Sequence, residues 1–85
     1  MSKELYSPKG FPQIGYRFLQ TTSGWAWEYQ EPGQETERTR LRFRTRAEAM
    51  RDAANDWSEN GSPGQSGNDS LTGTLRRLAN LEESK

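Results

Sequence analysis

The sequence predicts an α+β fold, in which a three-stranded antiparallel sheet packs on one α-helix. Aromatic and polar residues alternate over 14–18 and again over 25–29, as they do on half-buried strands. A third alternating stretch follows a Pro-Gly turn, and after it the apolar spacing becomes helical. A flexible linker and a short C-terminal helical segment complete the prediction.

The first two strands are defined by apolar residues of one parity. In the first strand these are Ile14, Tyr16 and Phe18. In the second, which has the clearest pattern in the chain, they are Trp25, Trp27 and Tyr29. The turn formers of TTSG, residues 21–24, separate the two strands. After the second strand, EPGQ at 31–34 has Pro and Gly at its centre, which predicts a type II turn.

A third strand is predicted over 37–43, followed by a helix from Arg46 to about Glu59. Thr45 and Glu48 have the spacing of a capping box, in which each residue bonds to the backbone of the other. The helix presents an apolar stripe at spacings of three, four and three residues: Ala47, Met50, Ala54 and Trp57. The predicted core contains Trp25, Trp27, Leu41, Phe43, Met50, Ala54 and Trp57.

The register between the second and third strands decides which face the arginines occupy. A loop of only 31–34 would place Trp27 opposite Arg38 and mix the two faces of the sheet. A bulge or a longer loop is therefore expected within 30–36. With that adjustment, Glu28 lies opposite or diagonal to Arg38 or Arg40, and Leu41 and Phe43 face the helix.

The chain divides into four predicted parts. Residues 1–13 form an irregular lead-in because Pro8, Gly10 and Pro12 interrupt any regular element. Residues 14–60 form the β-β-β-α domain. Residues 61–70 consist almost entirely of turn formers, which is typical of a flexible linker. Residues 71–85 form a short amphipathic helix or a disordered tail, since so short a helix is marginal without packing.

Composition narrows the range of functions. The 85 residues include 12 basic and 12 acidic side chains but no Cys and no His. Thiolate zinc sites and histidine catalysis are excluded, and no phosphate loop, nucleophile elbow or metal-ligand spacing appears. We therefore expect a non-enzymatic protein without cofactor or metal. No apolar run approaches the roughly 20 residues of a membrane span. A cytoplasmic location with no membrane partner is expected.

Alternating arginines are the leading candidate site. The candidate partner-binding residues are Arg38, Arg40, Arg42, Arg44 and Arg46. On one interpretation they are the solvated face of a strand, where charges contribute little. On the other they bind carboxylates or phosphates, for which the guanidinium fork is well shaped. The partner is an acidic protein surface or nucleic acid, although the balanced charge counts against DNA binding driven by the phosphate backbone.

Two further binding surfaces are considered. The aromatic residues of the second strand would stack on single-stranded bases if they were exposed, but their parity favours the core. The segment 71–82 has leucines near helical spacing and would fold on a partner, or else is an idle tail. The secondary candidate residues are Leu71, Leu75, Leu78 and Leu81.

The combination of GWAWEY, a Pro-Gly turn, RFRTRAEAMRDA and Trp57 resembles small three-strand-plus-helix domains. These include several uncharacterised bacterial families, the integrase N-terminal arm domain and the plant AP2 domain. The resemblance covers 14–57, and for the last two it implies DNA binding by the sheet in the major groove. Its motif encodes a strand end, a cap and helix packing, so it speaks to fold more than to function. The motif residues are Phe43, Thr45, Glu48, Ala49 and Ala53. Unlike strongly basic DNA-binding domains, this chain has equal numbers of basic and acidic residues.

Overall fold

The computed structural model describes residues 4–60 and 70–84. Its elements are β1 (Gly15–Thr21), β2 (Gly24–Gln30), β3 (Glu37–Arg38), α1 (Arg46–Asn60) and α2 (Ser70–Glu83). The strands form an antiparallel sheet in the order β1-β2-β3, which packs against α1. The predicted α+β class is confirmed, with two helices in the fold. The predicted linker, 61–70, lies outside the described residues apart from Ser70, at which α2 begins.

A two-residue hairpin loop joins β1 and β2. Thr21 lies opposite Gly24, and its hydroxyl donates to the Gly24 carbonyl oxygen at 2.7 Å. This pairing places Phe18 opposite Trp27 and puts both side chains on the face that packs against α1. The shared parity of the aromatic residues in the two predicted strands therefore reflects one buried sheet face.

Tyr16 lies at the centre of the aromatic core and is completely buried. The rings of Trp27 and Trp57 approach it edge-on, with centroids 5.3 and 6.4 Å away. Its hydroxyl donates to Asp56 Oδ2 of α1 at 2.6 Å. Burial and this hydrogen bond both favour the neutral phenol, so they raise the pKa of Tyr16 far above its ordinary value.

Helix α1 begins with the predicted Thr45 cap, but the Glu48 side chain bonds to the amide of Arg44 and not to that of Thr45. The Thr45 hydroxyl accepts from the Glu48 amide at 3.1 Å, while Glu48 Oε1 accepts from the backbone amide of Arg44 at 3.0 Å. The predicted apolar stripe is buried throughout, and Ala49 and Ala53 are buried beside it. This wider apolar surface serves two neighbours, because α1 contacts both the sheet and α2.

Helix α2 packs on α1 and, in the described part of the chain, contacts no strand. Its inner face buries Leu71, Leu75 and Ala79. The ends of the two helices are also joined by ion pairs, Arg46 with Glu82 at 3.0 Å and Arg51 with Glu83 at 2.6 Å. The C-terminal segment, predicted as a helix or a disordered tail, is thus a helix of the folded domain.

The N-terminal lead-in adds one antiparallel bridge to the outer edge of β1. The Tyr6 amide donates to the Tyr16 carbonyl oxygen at 2.8 Å, and the Tyr16 amide donates back at 3.0 Å. Gly15 permits this approach, because a Cβ there would overlap the Tyr6 carbonyl group. The Tyr6 ring then packs on Phe18, 5.4 Å between centroids.

Candidate partner-binding site

The turn between β2 and β3 sets the register of the arginine segment. Gln34 donates its amide to the Glu31 carbonyl oxygen at 3.1 Å, and Gly33 has φ of 83°. These are the features of the predicted type II turn. The whole connection spans 31–36 and places Glu28 opposite Arg38. The expected longer loop and the expected Glu28–Arg38 pairing are both confirmed.

The predicted third strand is present and begins at Glu37, but regular pairing stops after Arg38, so its predicted extent to residue 43 is wrong. The next bridge joins Trp25 to Phe43. Extending the Glu28–Arg38 register by three residues would instead place Leu41 opposite Trp25. The chain therefore contains two extra residues between the bridges. Residues 39–42, here called the bulge loop, leave the regular ladder, although the Thr39 amide still donates to the Trp27 carbonyl oxygen at 3.1 Å.

The bulge loop reverses the prediction that Leu41 lies in the core. Phe43 occupies the position beside Trp25 and packs against the core, whereas Leu41 is 58% exposed. The larger aromatic side chain buries more apolar surface at that position than leucine would. Gly24 makes the bridge possible, because it has φ of 135° and its Cβ would lie 2.7 Å from the Phe43 carbonyl oxygen.

The bulge loop is held by its own side chains. The Leu41 amide donates to Thr39 Oγ1 at 3.2 Å. Arg42 Nη1 donates to the carbonyl oxygens of Thr39 and Leu41, at 3.1 and 3.0 Å. Arg42, a predicted partner-binding residue, thus braces the loop through main-chain contacts. The loop has a defined conformation although it lies outside regular secondary structure.

Two of the predicted arginines are neutralised within the fold. Arg38 Nε donates to Glu28 Oε2 at 2.9 Å, across the face of the sheet opposite α1. Arg46 forms its ion pair with Glu82 of α2, and the hydrogen bond that it donates to this carboxylate raises the pKa of Arg46. These two side chains already have carboxylate partners and are poor candidates for a further one.

The side chains of Arg40 and Arg44 have, in the described residues, neither the acidic partner of Arg38 and Arg46 nor the main-chain contacts of Arg42. Both side chains are exposed, and neither forms an ion pair within residues 4–60 and 70–84. Arg40 lies in the bulge loop. Arg44 lies just after the loop, next to Phe43. The predicted row of arginines along one strand is therefore replaced by two unpaired arginines around an exposed leucine and a bracing arginine. We call Arg40, Leu41, Arg42 and Arg44 the arginine cluster.

The secondary candidate residues lie mostly in the core. Leu71 and Leu75 are buried against α1, Leu78 is half-buried, and Leu81 is 55% exposed. In the folded domain, the first two cannot contact a partner. Among the aromatic residues of β2, Trp27 is 7% exposed and its indole donates to Asp52 Oδ2 at 2.8 Å, while Trp25 and Tyr29 are half-buried and pack against the core. They do not form an exposed stacking platform.

Metal sites and membrane spans are the two other features that the described residues allow us to assess. No group of three or more acidic side chains there is arranged to hold a metal ion. Neither α1 nor α2 is long and apolar enough to cross a membrane, and those are the helices in the described ranges. Comparison of the chain with protein-family models, curated proteins and solved structures gives no match. The resemblance over 14–57 thus remains one of sequence pattern.

Proposed function

We propose that this protein is a non-enzymatic binding module that engages an acidic protein surface through the arginine cluster. One observation carries the proposal: Arg40 and Arg44 lack acidic partners in the described residues, while Arg38 and Arg46 have them. A guanidinium group forms its strongest hydrogen bonds with carboxylates, in a two-point geometry. Two exposed guanidinium groups on one short segment offer such contacts to an incoming partner.

The braced backbone strengthens this proposal. Binding with a flexible loop requires the loop to be ordered, which opposes association. Here the hydrogen bonds of Thr39 and Arg42 already order the loop before any partner arrives. Less conformational entropy is then lost on binding, and the side chains of Arg40 and Arg44 are the main groups left to order.

The balance of basic and acidic residues in the chain favours a protein over a nucleic acid as the partner. Proteins that bind nucleic acid through its backbone usually neutralise many phosphates and have an excess of basic residues. This chain has 12 basic and 12 acidic side chains, and several of its arginines are already paired internally. The two unpaired arginines at the bulge loop suit a limited acidic patch on a protein.

A charge-reversal experiment tests the proposal. Arg40→Glu with Arg44→Glu should abolish capture of the partner in a pull-down from the native lysate, while circular dichroism shows an unchanged fold. Lys9→Glu with Arg77→Glu is the matched control, because both residues are exposed, lie outside the cluster and give the same change in net charge. Equal capture by both variants would refute the proposal. Loss of capture after nuclease treatment would replace the protein partner with nucleic acid.

A further inference from the structure

We infer that the partner's acidic surface includes an apolar side chain, and that Leu41 docks against it. This inference rests on the proposed function and specifies the chemistry of the partner. Leu41 lies between Arg40 and Arg42 in the bulge loop and is 58% exposed. Together with Arg44, these residues place positive charge within three positions of Leu41 along the chain.

The position of Leu41 is what separates it from an ordinary exposed leucine. Single apolar side chains on a protein surface are common and need no explanation. Leu41, however, has the parity of a core residue, and an uninterrupted strand would place it opposite Trp25. With the two extra residues, Phe43 takes that position, and Leu41 lies exposed in a loop that its neighbours hold in place. Bulges of this kind commonly redirect a side chain next to a functional site.

The hydrogen bonds within the bulge loop limit how a partner can bind. A partner that added a strand to the sheet would need free main-chain groups along this edge. In the bulge loop, the Leu41 amide is bonded to Thr39, and the carbonyl oxygens of Thr39 and Leu41 accept from Arg42. The bulge also interrupts the straight edge that strand addition requires. We therefore expect recognition to use the side chains of the cluster and not strand addition.

An apolar centre with a charged rim is the usual arrangement of a protein interface. Leu41 supplies the centre, and Arg40 and Arg44 supply the rim, which steers an acidic partner and fixes its orientation. A nucleic-acid backbone would leave Leu41 without a matching apolar group. The partner that satisfies all of these side chains is an acidic segment containing leucine or a similar residue.

Synthetic peptides provide the test. Two short peptides of equal negative charge are compared, one with leucines between its glutamates and one with serines in their place. We expect the leucine peptide to bind the wild-type protein roughly tenfold more tightly by fluorescence anisotropy, a difference of about 1.4 kcal/mol. Leu41→Ser should remove this difference, while Arg40→Glu with Arg44→Glu should weaken binding of both peptides. The control variant, Lys9→Glu with Arg77→Glu, should retain the wild-type pattern.

The outcomes separate the inference from the proposed function. If the leucine peptide keeps its tenfold advantage in Leu41→Ser, or has none in the wild type, the apolar contact is refuted although the charge contact stands. If reversal of Arg40 and Arg44 changes neither affinity, or changes it no more than the control does, the proposed function itself fails. Tighter binding of a single-stranded oligonucleotide of equal charge would overturn the assignment of a protein partner.

Discussion

Replacing Leu41 and Phe43 separately with alanine tests the bulge that defines the site. Phe→Ala in a full core costs about 3–5 kcal/mol, so the half-buried Phe43 should lose roughly half, about 1.5–2.5 kcal/mol. Leu41 is 58% exposed, and its truncation should cost less than about 1 kcal/mol. For a domain of this size, each kcal/mol lowers Tm by about 4–8 °C.

Thermal and urea denaturation measure both variants. We expect Phe43→Ala to lower Tm by about 6–20 °C and Leu41→Ala to change it by only a few degrees. Both substitutions remove apolar atoms, so both should lower stability to some extent. The test is which of the two variants loses more stability. A larger loss for Leu41→Ala would place Leu41 beside Trp25 in an uninterrupted strand, and the bulge loop would be refuted.

Three further predictions concern the core and the bridge. Trp27→Ala should lower the free energy of unfolding by about 3–5 kcal/mol, which is a large share of the total stability of so small a domain. A variant that melts like wild type would contradict the core assignment. Gly24→Ala should destabilise the fold by about 1–3 kcal/mol and expose Phe43, as followed by urea denaturation, because alanine is strained at this φ and meets the Phe43 carbonyl group. The raised pKa of Tyr16 means that only the unfolded chain ionises this phenol above about pH 10, so the free energy of unfolding should fall there by about 1.4 kcal/mol per pH unit. In Tyr16→Phe this part of the alkaline slope should be absent, and an unchanged slope in urea titrations would contradict the burial of the hydroxyl.

The sequence predicts the sheet, the cap and the first helix because each depends on local pattern. Alternation gives the aromatic face, and the spacing of Thr45 and Glu48 gives the start of α1. The register after Arg38, in contrast, does not follow from local pattern. A slip of two residues keeps every side chain on its original face, so alternation cannot distinguish Leu41 from Phe43 as the partner of Trp25. Packing volume and the absence of a side chain at Gly24 decide between them.

The candidate site was predictable only in part for a similar reason. Cross-strand pairing indicates that Glu28 meets Arg38, since the two strands are neighbours along the chain. The ion pair of Arg46 with Glu82 joins residues 36 positions apart, and it exists only because α2 packs on α1. Without that tertiary contact, Arg46 looks equivalent to the arginines of the bulge loop. The helical spacing of the C-terminal leucines likewise predicts a helix but cannot show that α1 covers it.

The most direct measurement of the central claim is an amide NMR titration of the wild-type protein with the acidic leucine peptide. We expect the largest chemical-shift changes in residues 39–44, with smaller changes at the adjoining Trp25 and Glu28. Changes concentrated on α2 around Leu81, or on the turn at 31–34, with residues 39–44 unmoved, would contradict the account.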